Sequence, residues 1–556
     1  SSATDLATNV QVALSSAGFT YDIGVPTAAV TAPAAAYFKD NTSFAGTSVD
    51  APAGVASVFV ALSSGTSAFP AGSAGSWWGG AAFTAAAENY LATTGNWTLS
   101  LAGITFTNGK TYMARIQTSD NALPAPNVRV QDSSFLFDNA APIAAVASPA
   151  NGAFKNELFA LSGTALDPDP GSPLLASGLS TVTISIQEVN GAGASGNCYV
   201  PGGGFTAACP NYFGAAGTPA AWNYTLPTNP YVNGRGYLVV ARAADLAANA
   251  QGVFTVGTSS NTFIYDTNSP VVAVTNPNAN RQSDLFGGTL TGSAGIAAPG
   301  TLSLVQVRIR RETGLVQFLN PVSLVFDATA ADSAWINAAS ADGWLNWTLS
   351  SGVPWISGEQ YTTMARSQSN GMNYSVTYST ALVLYDNTPP LTSVTAPANA
   401  STINTLAALS GTLADATFNG LNIGTVTVVN LQVKRLSDNQ CWNGASWLAP
   451  CPPLTTAGGM EVWSTSWTVK IANLPTMTSG TSYYITNSGT DDAVPAGNVE
   501  AFFNVRGSTF TFDNTAPTSG IVLPVDTKFY NTLAAINGAA FDAVGLSTVA
   551  LSVRNA

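Results

Sequence analysis

The sequence predicts an all-β protein built as a linear array of Greek-key β-sandwiches, and three observations carry that prediction. A phrase made of an aromatic residue, an aspartate, three further residues and a proline occurs five times. Between its copies lie short stretches in which β-branched residues alternate with polar ones, the signature of a half-buried strand. No segment has a helical period, and turn residues interrupt the chain throughout.

The recurring phrase runs from Tyr21-Asp22 to Pro26, Phe137-Asp138 to Pro142, Tyr265-Asp266 to Pro270, Tyr385-Asp386 to Pro390 and Phe512-Asp513 to Pro517. Each copy has a second proline seven residues after the first, at Pro33, Pro149, Pro277, Pro397 and Pro524. The residues between the two prolines read as a first strand at a sheet edge, where a missing N–H is tolerated. The junction itself reads as a short, stiff turn, because proline fixes φ and aspartate accepts from nearby backbone donors.

An apolar-x-Gly phrase comes next, ending at Gly46, Gly163, Gly292, Gly411 and Gly538, and an aspartate usually follows it, at Asp50, Asp167, Asp415 and Asp542. Then come alternating strands at Val58–Val60, Val182–Ile186, Val305–Ile309, Val429–Val433 and Val549–Val553. Four copies go on to a tryptophan strand at Trp97, Trp222, Trp347 and Trp467. A Gly-x-x-Tyr phrase then opens a further strand at Tyr112, Tyr237, Tyr361 and Tyr483. A loop with Asp and Asn, clearest at Asp245 and Asn249, leads to the last strand.

These landmarks divide the chain into the end of one repeat (1–22), four full repeats (23–138, 139–266, 267–386, 387–513) and the start of another (514–556). Asp5-Leu6-Ala7-Thr8-Asn9 parallels Asp245-Leu246-Ala247-Ala248-Asn249, and 514–556 is expected to supply three strands. The chain opens at Ser1 with no charged-then-apolar leader and reads as mature or as a window on a longer repeat protein. A second expectation is that residues 514–556 accept the strand Val10 to Tyr21 of another copy, head to tail.

Composition narrows the function. Thirty acidic against eighteen basic residues give a net charge of −12, with no basic cluster beyond Arg308, Arg310 and Arg311, so neither nucleic acid nor an anionic membrane is an expected partner. No apolar run is long enough for a membrane-spanning helix. Histidine is absent, which removes the commonest general base and zinc ligand. No catalytic residue and no cofactor is expected. Gly103 to Gly109-Lys110-Thr111 has one residue too many for a phosphate-binding loop and reads as a turn before a strand.

The four cysteines fall as Cys198 with Cys209 and Cys441 with Cys451, separations that suit a disulfide across one hairpin loop and imply an oxidising compartment. Asp167-Pro168-Asp169-Pro170-Gly171 and the junction aspartates Asp138, Asp266, Asp386 and Asp513 have the oxygen chemistry of a Ca²⁺ site. Turn capping explains each singly, and no metal site is expected. Trp97, Trp222, Trp347 and Trp467 read as core, whereas Trp77, Trp78, Trp442 and Trp447 lie in a variable hairpin and are the candidates for carbohydrate contact. Asn96, Asn223 and Asn346 begin Asn-x-Thr sequons.

Phrases such as Phe512-Asp513-Asn514-Thr515-Ala516-Pro517, Leu409-Ser410-Gly411-Thr412 and Cys441-Trp442-Asn443-Gly444 resemble the bacterial immunoglobulin-like repeats of large extracellular surface proteins. The resemblance spans nearly the whole chain. The third copy departs most, with Gln317-Phe318-Leu319-Asn320 in place of the tryptophan-asparagine-glycine hairpin. It implies a non-enzymatic protein at the cell surface or outside the cell. The expected role is a fibre or sheath subunit that self-associates, or alternatively the stalk of an adhesin whose binding module lies elsewhere.

Overall fold

In the computed structural model the described residues are 1–33, 36–40, 43–65, 74–93, 96–278, 280–283, 289–350, 352–415, 417–418, 421–422, 424–455, 459–502 and 506–555. Ala556, at which the sequence places the end of an incomplete repeat, lies outside them. Among them regular structure is strand throughout, apart from single 3₁₀ turns such as Ala331–Ser333 and Ile471–Asn473.

The second repeat shows the common plan. One sheet orders Ile143–Ser148, Ala160–Leu166, Ala221–Thr225 and Ala216–Thr218. The facing sheet orders Ala153–Lys155, Ser260–Tyr265, Arg235–Asp245, Leu179–Asn190, Cys198–Val200 and Gly204–Ala207. The two sheets close over Val182, Ile184, Ile186, Trp222, Tyr237, Val239 and Phe263, all buried. Alternation explains the selection: in Leu179–Asn190, Val182, Ile184 and Ile186 face inward while Thr181 and Thr183 face out. The same two-sheet order, with its own core, recurs in the first, third and fourth repeats.

Two devices hold each sandwich. The glycine of the apolar-x-Gly phrase pairs directly with the tryptophan: Gly46 with Trp97, Gly163 with Trp222, Gly292 with Trp347 and Gly411 with Trp467. The indole fills the space a side chain would need. The tyrosine of Gly-x-x-Tyr turns back to accept the backbone N–H five residues upstream, with Oη of Tyr112, Tyr237, Tyr361 and Tyr483 at 2.8, 2.8, 3.0 and 2.8 Å from Thr107, Val232, Ile356 and Thr478. A buried hydroxyl that satisfies a loop N–H ties the loop to the core.

The second proline marks where the first segment changes sheets. Ile143–Ser148 belongs to one sheet and, beyond Pro149, Ala153–Lys155 runs parallel to Phe263–Tyr265 in the other. In 514–555 the three strands expected become two: Thr518–Leu523 pairs with Asn537–Phe541, while Val549, Leu551 and Val553 are exposed and unpaired. In the complete repeats that third strand is held by the tyrosine strand, which residues 514–555 do not contain. Val10 to Tyr21 likewise forms no strand beyond a bridge of Val10 to Thr4.

Candidate metal centre

Three positions that the sequence offers one at a time, the junction aspartate, the aspartate after apolar-x-Gly and the aspartate of the Asp/Asn loop, meet in space. Asp22, Asp50 and Asp120 gather in the first repeat, Asp138, Asp167 and Asp245 in the second, and Asp386, Asp415 and Asp491 in the fourth, with carboxylate oxygens within 4.8 Å of one another. Each is delivered by the fold: the first comes shortly before the opening strand of its sandwich, the second follows a strand of the smaller sheet, and the third ends or follows the tyrosine strand. All three therefore stand at the end of the sandwich where the chain enters.

The second repeat has the most enclosed group, with Asp138, Asp167 and Asp245 at 1%, 7% and 3% exposure. Asp138 Oδ2 accepts from Ser177 N at 2.8 Å and Oδ1 from Ala140 N at 3.0 Å. Asp245 accepts from Asn249 N at 2.7 Å and Asn249 Nδ2 at 2.8 Å. Asp167 Oδ2 accepts from Gly178 N at 2.7 Å, but its Oδ1 is buried without a hydrogen-bond partner. Burial, with Asp138 and Asp245 beside it, raises the Asp167 carboxyl above its ordinary range. Burial likewise raises Asp245 against the pull of Asn249. A buried acceptor left unsatisfied among like charges costs stability unless a cation or a proton joins it.

The first repeat follows the same scheme. Asp50 is raised by burial and by Asp22 and Asp120, and burial also opposes ionisation of Asp120, whose hydrogen bonds from Asn127 and Ala122 nevertheless hold it below its ordinary range. In the fourth repeat the chain passes so close to the carboxylates that a side chain on Gly424 would stand 2.0 Å from Asp415 Oδ2 and 2.9 Å from Asp386 Oδ2. The third repeat has Asp266 at the first position, but Ile296 follows its strand Thr289–Gly295 and Ser369 ends its tyrosine strand, and among the described residues no group forms there.

The same loop locks the junction. Asn249 Nδ2 also donates to the backbone oxygen of Asp138 at 2.9 Å, and Asn498 Nδ2 to that of Asp386 at 3.0 Å. The last residue of one repeat is thus held by a loop of the next. Asp5 and Asn9 keep the loop's own bonds, at 2.9 and 3.0 Å, without a sandwich around them.

The remaining sequence expectations fall as follows. Cys198 is bonded to Cys209 and Cys441 to Cys451, each across its hairpin. Trp97, Trp222, Trp347 and Trp467 are core residues at 2% exposure or less. The hairpin tryptophans differ from expectation: Trp77, Trp78 and Trp442 are buried and Trp447 is half-buried, because the hairpin pairs along the edge of the larger sheet and continues it. Trp78 and Trp442 join the cores of their repeats and Trp77 packs on Ala61 and Met113, so these three offer no ring to a sugar. Asn96, Asn223 and Asn346 are exposed. Asp266 and Asp513 directly follow the strands Ser260–Tyr265 and Ser508–Phe512. Hydrogen bonds from Thr515 N and Ser479 Oγ hold Asp513 below its ordinary range.

No protein-family profile and no curated protein matches the chain. Among solved structures, a tetra-tandem repeat from the extending region of a large adhesion protein is similar at 16% identity and a TM-score of 0.27, covering 88% of this chain and 100% of that one. A Ca²⁺-stabilised adhesin with which an Antarctic bacterium binds ice is similar at 14% identity and a TM-score of 0.25, covering 88% and 98%. The FN1–FN3 domains of chicken CNTN1 give 11% identity and a TM-score of 0.27, covering 64% and 98%.

Proposed function

We propose that this chain is the extracellular, non-catalytic stalk of a surface protein, in which tandem sandwiches act as spacers and divalent cations stiffen their junctions. The observation that carries this reading is the placement of Asp138. It closes one repeat, its backbone is gripped by Asn249 of the next, and its carboxylate joins Asp167 and Asp245. A cation there bonds to both sides of a junction at once.

An all-oxygen carboxylate set is the chemistry of a hard cation, and without nitrogen or sulfur donors it favours Ca²⁺ over zinc. The three side chains would supply its protein ligands, and the buried Oδ1 of Asp167 would gain the partner it lacks. Two hairpin disulfides support an oxidising compartment and hence an extracellular location.

The fibre reading rests on a different observation. The pair Thr518–Leu523 and Asn537–Phe541 leaves Ile521 and Phe541 exposed at 60% and 71%, a sandwich layer without its cover. A second copy of the chain, or more chain of the same kind, would complete it.

Electron microscopy and small-angle scattering of the full chain, with Ca²⁺ and with chelator, test both readings. The stalk reading expects separate extended particles that lose stiffness in chelator. Particles equally stiff or equally flexible in both conditions would overturn the cation-braced junction. Growth of the separate chains into regular filaments would replace the stalk with the fibre.

A further inference from the structure

We infer that the third repeat, which lacks the carboxylate group, carries instead a binding site for a carboxylate-bearing sugar, built around Arg366. Arg308 on Leu302–Arg311 and Arg366 on Gln360–Ser369 project from the outer face of the larger sheet, diagonal to each other across the register Gln306 opposite Arg366 and Arg308 opposite Met364. The strand Gln317–Leu319 extends the sheet beside Leu302–Arg311, with Phe318 opposite Arg310, and the segment that leads to Trp335 lies over that face. The result is a stack of alternating guanidinium and ring. Arg308 lies 5.2 Å from the centre of Phe318 and 4.6 Å from that of Trp335, and Arg366 lies 4.2 Å from Trp335 and 4.7 Å from Tyr374.

Stacking occupies the faces of a guanidinium and leaves its N–H edges to hydrogen-bond in the plane. For Arg366, Nε donates to Gln306 Oε1 at 2.9 Å, and among the described residues no carboxylate pairs with either arginine. Arg308 spends its other nitrogens on Ala331 O at 2.9 Å and Met364 Sδ at 3.2 Å, while its Nε and the Trp335 Nε1 are buried donors without an acceptor. Neither arginine has an ion-pair partner among the described residues, and Asp332 acts on Arg308 only from beyond ion-pair distance, in a chain of net charge −12. Every unmatched group in the cluster is a donor.

Arg366 opens into a cavity of about 260 Å³ lined by Tyr374, Ser375, Val376 and Tyr378. Tyr374 and Tyr378 are 44% and 48% exposed, so the cavity combines a planar cationic fork, hydroxyls and accessible ring surface. A carboxylate matches the fork with two parallel hydrogen bonds, and a pyranose ring matches the tyrosine faces and hydroxyls. The cavity lies just below the roughly 300 Å³ at which drug-sized sites begin, which fits one uronate unit at the end of, or within, a glycan. The loop that delivers Tyr374 and Tyr378 occupies the place of the Asp/Asn loop in the other repeats, so the site replaces the carboxylate group within one plan.

Calorimetric titration of the full chain with trigalacturonate, and with its methyl ester, tests the assignment. The acid is expected to bind and the ester, which has the same rings without the charge, to bind at least tenfold more weakly. Arg366→Gln is expected to lose tenfold or more in affinity for the acid. Arg366→Lys, which keeps the charge and the stack's bulk but not the fork, should lose nearly as much. Near-ultraviolet circular dichroism of both variants reports whether the Trp335 stack persists. Equal binding of acid and ester, undiminished binding by a variant, or no binding of the acid to the native chain each overturns the proposal.

Discussion

Gly163 and Trp222 face each other across neighbouring strands so closely that a β-carbon on Gly163 would lie 2.3 Å from Trp222 Cζ2 and 1.9 Å from Ala145 O. The indole also donates from Nε1 to Thr164 O at 3.2 Å, so it cannot swing aside without losing a hydrogen bond. Gly163→Ala is therefore expected to destabilise the second repeat by about 3 kcal/mol, at the upper end of overpacking costs. Trp222→Phe in the same chain should recover part of the loss. Denaturant unfolding that resolves the repeats checks both, and an additive double variant would show that the two residues do not compete for the same space.

Tyr237 tests the second device. Tyr237→Phe keeps the ring in the core but leaves Val232 N–H without its acceptor, an expected loss of about 1–3 kcal/mol. Hydrogen exchange at Val232 should accelerate well before that of the core strands. Tyr112→Phe, Tyr361→Phe and Tyr483→Phe are expected to behave alike, since each makes the same bond.

The Asp167 group should reverse its effect on stability with cation and with pH. Its carboxyl is raised in the folded state, so the folded chain binds the proton more tightly than the unfolded one. In chelator this contribution is fully present below the unfolded pKa and is lost as pH rises through the raised folded pKa. Asp167→Asn is thus expected to raise the melting temperature of the second repeat at neutral pH in chelator, with the difference closing as pH falls into the ordinary carboxylate range. In Ca²⁺ the same substitution should lower it, because binding to the folded state alone stabilises by mass action.

Gly424→Ala reports on the fourth repeat separately. The added methyl would occupy the space beside Asp415 Oδ2 and Asp386 Oδ2. Ca²⁺ titration of the full chain should then lose one site of three while those of Asp138 and Asp22 remain. Three undisturbed sites would place the cation away from Gly424.

Much of this was legible in the sequence because the repeat writes each landmark several times. The Gly-x-x-Tyr spacing located every tyrosine strand, and alternation located the core faces of Val182–Ile186 and its counterparts. The carboxylate groups were not legible as groups. Asp138 and Asp245 are far apart along the chain, and each has a local capping role that accounts for it alone; the signal was that the same three positions carry aspartate in the first, second and fourth repeats, whereas the third keeps Asp266 and loses the other two together, to Ile296 and Ser369. The hairpin tryptophans misled because a turn-rich segment reads as exposed, whereas in the fold its strands extend the larger sheet and share in covering the core. Val549 to Val553 has the pattern of a strand, but a strand exists only where a neighbour pairs with it.

The parallel pairing of Ala153–Lys155 with Phe263–Tyr265 puts the first and last segments of a sandwich side by side and pointing the same way. Tension drawn through the chain pulls these two segments past each other along their length, so their hydrogen bonds are loaded together in shear and do not peel open one at a time. With the same pairing at Tyr37–Phe38, Arg281–Gln282 and Ser401–Ile403, each of the four modules meets a pull first at this parallel seam. A chain of such modules under load would draw its resistance from those seams in series.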